Sequence, residues 1–238
     1  MIKHYLMRYI RHSIILLIAS IPLLAVFSMS QDKKYTMLCL GDSYTIGESV
    51  EEHDRFPMQT VELLKNDGIC FDKPIIIAKT GWTTDELAAA INEAKYIAPV
   101  GGVYVTLLIG VNNQYRNRGA EQYRCEFVGL LKTAIQYAHG KNDHVFVLSI
   151  PDWSVTPFAE KDSRTREEIG KAIDLYNAIN KDESLKAHVN YIDITPISRL
   201  IKEHPEFIAD DGLHPSGKMY AEWAKLLATK IKLVADAK

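Results

Sequence analysis

Residues 37–48 read MLCLGDSYTIGE, an apolar run that stops at Gly41-Asp42-Ser43. Unbroken apolar residues suit a strand buried on both faces, as in a parallel sheet under two layers of helices. A serine just past such a strand lies where open α/β sheets collect functional groups. Gly-Asp-Ser is equally a common turn sequence, so the rest of the chain must separate a turn from a reactive site.

Outward from this stretch, short apolar runs alternate with longer amphipathic ones. Residues 35–40, 74–79, 103–109, 144–150 and 189–194 are rich in Val, Ile, Leu and Tyr and read as strands. Residues 55–68, 83–97, 120–140, 165–184 and 216–234 carry helical spacing. Gly68 and Gly140 close two of these helices, and Thr83 or Thr84 with Glu86 forms a capping signal at the start of another. The alternation predicts one three-layer α/β/α domain around a five-stranded parallel sheet. Ser43, Gly81, Asn112 and Asp152 then follow the first four strands on one edge, and Asp211 and His214 precede the last helix.

The chain has 238 residues, 47% hydrophobic and 24% charged, enough for one sizeable core. With a formal charge of −2 and no basic stripe, nucleic-acid binding is not expected. Residues 1–30 differ from the rest. Lys3, Arg8 and Arg11 precede an apolar stretch over residues 14–27, and Ser28-Met29-Ser30 supplies small residues for cleavage. This reads as a signal peptide cut near Gln31, with an uncleaved anchor as the competing reading. A fourteen-residue apolar stretch containing Pro22 is short for a span, which needs about 20. The expectation is an exported protein, periplasmic or extracellular, with residues 31–238 as the working domain and no stable membrane insertion after cleavage. Removing three positive charges from −2 leaves −5, a mildly acidic product. Cys39, Cys70 and Cys125 lack metal-site spacing and cannot all pair; Cys39 and Cys125 fall in apolar patterns that suit buried free thiols. No metal and no cofactor is expected. His139 and His144, flanking a Gly-Lys-Asn-Asp turn, read as solvent-facing.

Two glycine motifs fail on spacing. A phosphate-binding loop needs four residues between its glycines and then Lys, whereas five separate Gly41 from Gly47 and Glu48 follows. The Gly-x-Ser-x-Gly elbow fails because Thr45 stands two residues after Ser43. A serine nucleophile needs a base, and DDGLHPSG at 210–217 offers one. Of eight histidines, His214 alone follows an aspartate, Asp211, by three residues and precedes a proline at a helix entry. Asp211 can fix the imidazole tautomer within one turn of chain. The oxyanion formed on attack needs donors, for which the N–H groups of Ser43 and Gly81 and the Asn112 amide are candidates. Asp42 reads as a structural tie.

These residues resemble the SGNH (GDSL-like) hydrolases, whose four blocks are matched in order by GDSYTIGE, KTGWTTDE, LLIGVNNQ and DGLHPSG. The resemblance implies a flavodoxin-like fold, Ser43 as nucleophile, His214 as base, Asp211 as its orienter, and an oxyanion hole from Ser43, Gly81 and Asn112. One departure stands out: the third block usually reads Gly-x-Asn-Asp, and here Asn113 replaces the aspartate. Trp82, Asn113, Tyr115, Arg116 and Trp153 are expected to contact substrate, with Arg118 and Phe158 nearby. The expected activity is hydrolysis of a small-molecule or glycan carboxylic ester, short-chain or O-acetyl, through an acyl-enzyme. An O-acyltransferase acting on a cell-envelope glycan with the same triad, or a silent glycan-binding module, are the other classes.

Overall fold

The computed structural model describes residues 34–237; the expected signal segment lies outside the described residues. Five strands form one sheet: β1 (Thr36–Gly41), β2 (Ile75–Ala78), β3 (Val103–Leu108), β4 (Val145–Leu148) and β5 (Asn190–Ile192). Every pairing is parallel, and the order is β2-β1-β3-β4-β5. Burial follows position. All six residues of β3 and all four of β4 are buried, whereas the edge strand β2 is only partly covered. That is why the inner strands read as continuous apolar runs.

The helices are α1 (Ser43–Ile46), α2 (Phe56–Asn66), α3 (Thr84–Ala94), α4 (Val111–Tyr115), α5 (Ala120–Tyr137), α6 (Arg166–Lys186), α7 (Thr195–Ser198) and α8 (Gly217–Asp236). α2 packs on α8, and α3, α5 and α6 pack side by side. This is the flavodoxin-like order, in which the chain reverses direction across the sheet between β1 and β3. The expected capping box at Thr83 and Glu86 is present, and Thr165 with Glu168 forms a second at the start of α6. Aromatic side chains fill the core, among them Tyr104, Tyr123, Phe127, Phe146, Tyr220 and Trp223, all fully buried. No helix among the described residues is long and apolar enough to cross a membrane.

Two expectations are corrected. His144 is buried rather than solvent-facing; its Nδ1 lies 2.9 Å from the Val103 carbonyl and its ring stacks on Tyr104 at 4.1 Å. Cys39 is a buried free thiol as expected, but Cys125 is exposed. The helix α5 turns its Tyr123, Phe127 and Leu130 inward and carries Cys125 on another face.

Candidate active site

The site starts where β1 ends. Gly41 is required by packing: a Cβ there would stand 2.1 Å from Thr45 Oγ1 and 2.4 Å from the Leu108 carbonyl oxygen. Asp42 caps the short helix α1, its Oδ1 accepting from the Tyr44 N–H at 3.0 Å. Ser43, the first residue of α1, is 4% exposed and opens onto a cleft of about 130 Å³. Burial pushes the Asp42 carboxyl up to about 7 against the opposing pull of its backbone hydrogen bonds. Its Oδ2 is buried with no partner among the described residues.

His214 reaches the same cleft from the other end of the chain. The turn that presents it is closed by Ala209 N–H to the His214 carbonyl at 2.8 Å and Gly212 N–H to the Ala209 carbonyl at 3.0 Å. His214 Nδ1 stands 2.6 Å from Asp211 Oδ2, while Asp211 Oδ1 accepts from the backbone N–H of Leu213 and of His214, each at 2.9 Å. With Nδ1–H donated to a carboxylate, Nε2 is left as the proton acceptor. Burial acts to raise the Asp211 carboxyl, but hydrogen bonds from Ser49, His214 and Leu213 outweigh it and hold Asp211 well below the usual carboxylate range. Tyr44, the residue after Ser43, packs edge-on to the His214 ring at 5.7 Å, so the serine turn and the imidazole share one packing contact. Ser43 Oγ itself makes no hydrogen bond among the described residues.

Gly81 and Asn112 line the cleft beside Ser43. Gly81 has φ +86°, a conformation glycine adopts without penalty. Asn112 Nδ2 donates to the Trp82 carbonyl at 2.9 Å, and Arg116, the C-cap of α4, donates through Nη2 to the Gly81 carbonyl at 2.7 Å. One side chain of this short helix and one from its C-cap therefore grip consecutive carbonyls of the Gly81 loop. The far wall is aromatic: Tyr115, Trp153 and Phe158 meet at ring separations of 5.5–6.2 Å. Arg164 braces this wall, its guanidinium 5.4 Å from the Trp153 ring and 5.8 Å from the Tyr115 ring. Hydrogen bonding to Arg164 pulls the Asp162 carboxyl down to about 2.

Three residues expected at the substrate do not line the cleft. Asn113 is fully buried; its Oδ1 accepts from the Thr84 N–H at 3.0 Å and its Nδ2 donates to Thr84 Oγ1 at 2.6 Å and Glu126 Oε2 at 3.4 Å. Arg116 is held by Glu86 and the Gly81 carbonyl, and Trp82 contributes its carbonyl while its ring packs on the core. Arg118 pairs with Asp85 at 2.6 Å. Tyr115 and Trp153 do line the cleft. Thr80, Val111 and Leu213 also line it without having been singled out, although each adjoins a residue that was.

The sequence profile of the GDSL-like Lipase/Acylhydrolase family matches residues 39–222. The chain belongs to the GDSL-like lipase/acylhydrolase family. As a member of this family it is an ester-hydrolysing enzyme. The GDSL-like chain shares its fold with solved structures of low sequence identity. A lipase/acylhydrolase from Enterococcus faecalis is 19% identical with a TM-score of 0.65, covering 83% of this chain and 95% of that one. The acetylxylan esterase Axe2 from Geobacillus stearothermophilus is 16% identical with a TM-score of 0.62, covering 83% and 94%. A lipolytic G-D-S-L family protein from Veillonella parvula is 16% identical with a TM-score of 0.60, covering 82% and 95%. No curated protein matches the chain by sequence.

Proposed function

We propose that this GDSL-like hydrolase is a serine esterase that cleaves a small, uncharged carboxylic ester through an acyl-enzyme on Ser43. The observation that carries the reading is the Asp211–His214 pair, closed at 2.6 Å and facing the same cleft as Ser43. His214 Nε2 takes the Ser43 proton as Oγ forms a bond to the ester carbonyl carbon. The charge that develops on the carbonyl oxygen is met by the Ser43 and Gly81 N–H groups and by the second N–H of Asn112, whose first is anchored on Trp82. The tetrahedral species expels the alcohol, which leaves with the proton from His214. Water, deprotonated by the same imidazole, then releases the acid and frees Ser43.

The walls of the cleft support a small, uncharged substrate. The cleft of about 130 Å³ is lined by Val111, Tyr115, Trp153, Phe158 and Leu213, and among the described residues no Lys, Arg, Asp or Glu side chain lines it. Arg116 and Arg164, which would attract an anion, are committed to Glu86 and Asp162. A short acyl group such as acetyl fits this space, in keeping with the acetylxylan esterase among the structural neighbours. The basic and apolar residues 1–30 support export and hence an acetylated glycan as the natural ester.

The test is turnover of p-nitrophenyl acetate, butyrate and octanoate and of an acetylated xylo-oligosaccharide. The expected order of kcat/KM is acetate and butyrate above octanoate, and Ser43→Ala is expected to lose on the order of 10⁴-fold or more. Undiminished turnover by Ser43→Ala refutes the reading.

A further inference from the structure

Asp211 Oδ2 has a second partner besides the imidazole: the Ser49 hydroxyl donates to it at 2.6 Å. We propose that Ser49 is a positioning residue for the acid–base pair, holding the Asp211 carboxylate that orients His214 and tying that pair to the loop that carries the nucleophile. The proposal rests on the reading of Ser43, His214 and Asp211 given above.

The two backbone donors to Asp211 Oδ1 come from Leu213 and His214, inside the same turn, and move with it. Ser49 is different. It lies 162 residues away in sequence, and among the described residues its bond is the one hydrogen bond joining residues 43–50 to residues 210–214. The Asp211 side chain is 31% exposed, so without Ser49 water competes for the oxygen that must accept from His214. With Ser49 in place both carboxylate oxygens have two protein donors, and rotation about the Cβ–Cγ bond, a soft torsion for aspartate, would break several of them at once.

The backbone at Ser49 supports a role for the hydroxyl. Its φ is +65°, in the left-handed region where glycine is at ease and other residues are uncommon. Shape alone would favour glycine at this position. The hydroxyl is what a serine adds.

Because of this conformation, the decisive variant is one expected to fold. Ser49→Gly removes the hydroxyl while relaxing the backbone, and Ser49→Ala removes it without relaxing the backbone. Both are expected to lower kcat about tenfold, in the range of a hydrogen bond to a charged group, with KM for p-nitrophenyl acetate unchanged. Ser49→Gly is expected to melt at or above the wild-type temperature. The acid limb of kcat/KM, which belongs to the Asp211–His214 pair as a unit, is expected to move to higher pH. The carboxylate loses a donor that holds its charge down, and the pair then keeps its proton to a higher pH. A structural role alone moves the melting temperature and not this limb. Wild-type kcat and an unmoved limb in Ser49→Gly overturn the assignment, provided Ser43→Ala is inactive in the same assay. Activity in Ser43→Ala overturns the serine-esterase reading itself.

Discussion

Asp42 shows how one residue can serve the site at the expense of the fold. Its Oδ1 caps α1 and so fixes the turn that presents Ser43, yet the side chain is 1% exposed and Oδ2 has no partner among the described residues. A carboxylate in that setting favours its neutral form, and burial pushes it up to about 7 from an ordinary 3.8. The sign follows from linkage. Between these two values the folded state holds a proton that the unfolded chain has released, so this group weakens folding as pH rises through that window and no further above it. Asn can keep the acceptor for the Tyr44 N–H and carries no charge. Asp42→Asn is therefore expected to melt above wild type at pH 8, by about 2–4 °C for each kcal/mol recovered, with the gap narrower at pH 5. Calorimetry at the two pH values checks this, and a gap that widens toward pH 5 contradicts it.

The short helix α4 is the element that ties the Gly81 loop to the cleft. Val111, Asn112 and Tyr115 face the cleft, Asn113 and Gln114 point into the protein, and Arg116 returns to the Gly81 loop one turn after Asn112. This division was not legible in GVNNQ, which follows the strand as a loop and gives no helical phase; hence Asn113 was expected at the substrate and lies beneath it. Trp82 was misread for a related reason, since its carbonyl rather than its ring meets Asn112. Arg116 looked like an anion contact because a lone arginine near a cleft gives no sign of its partner. Its guanidinium side chain is 42% exposed and its pairing with Glu86 spans 3.3 Å. An ion pair of that kind contributes about 0–1 kcal/mol to stability. Its contact with the Gly81 carbonyl at 2.7 Å is where an effect on turnover is expected. Arg116→Ala is expected to leave the melting temperature within about 3 °C of wild type. It is expected to lower kcat about 3–10-fold, less than outright loss of an oxyanion donor. Steady-state kinetics beside a thermal melt separates the two effects.

Across the whole molecule, the sheet was legible because β1, β3 and β4 are covered on both faces and so write continuous apolar runs, and because loops after parallel strands gather on one edge. That Ser43 and His214 line one cleft followed from that edge and from one Asp-x-x-His spacing. What holds the layers in register was not legible, since it depends on buried polar contacts between residues far apart in sequence. The departure at Asn113 is the clearest case. Asn113 on α4, Thr84 at the start of α3 and Glu126 on α5 form one network, in which Thr84 Oγ1 donates to Glu126 and Asn113 Nδ2 lies 3.4 Å from the same carboxylate oxygen. The aspartate usual in this family would place a second carboxylate there, so Glu126 explains why an amide suits this chain. Asn113→Asp is expected to cost about 1–3 kcal/mol at pH 8. That loss should shrink as pH falls, because crowded carboxylates hold a shared proton more tightly and their repulsion acts only above the raised pKa. Adding Glu126→Gln removes the repulsion and supplies an amide donor, so the double variant should recover most of the stability lost by Asn113→Asp. A double-mutant cycle by denaturant unfolding measures this coupling, and additive losses would mean that Glu126 is not what sets the residue at 113.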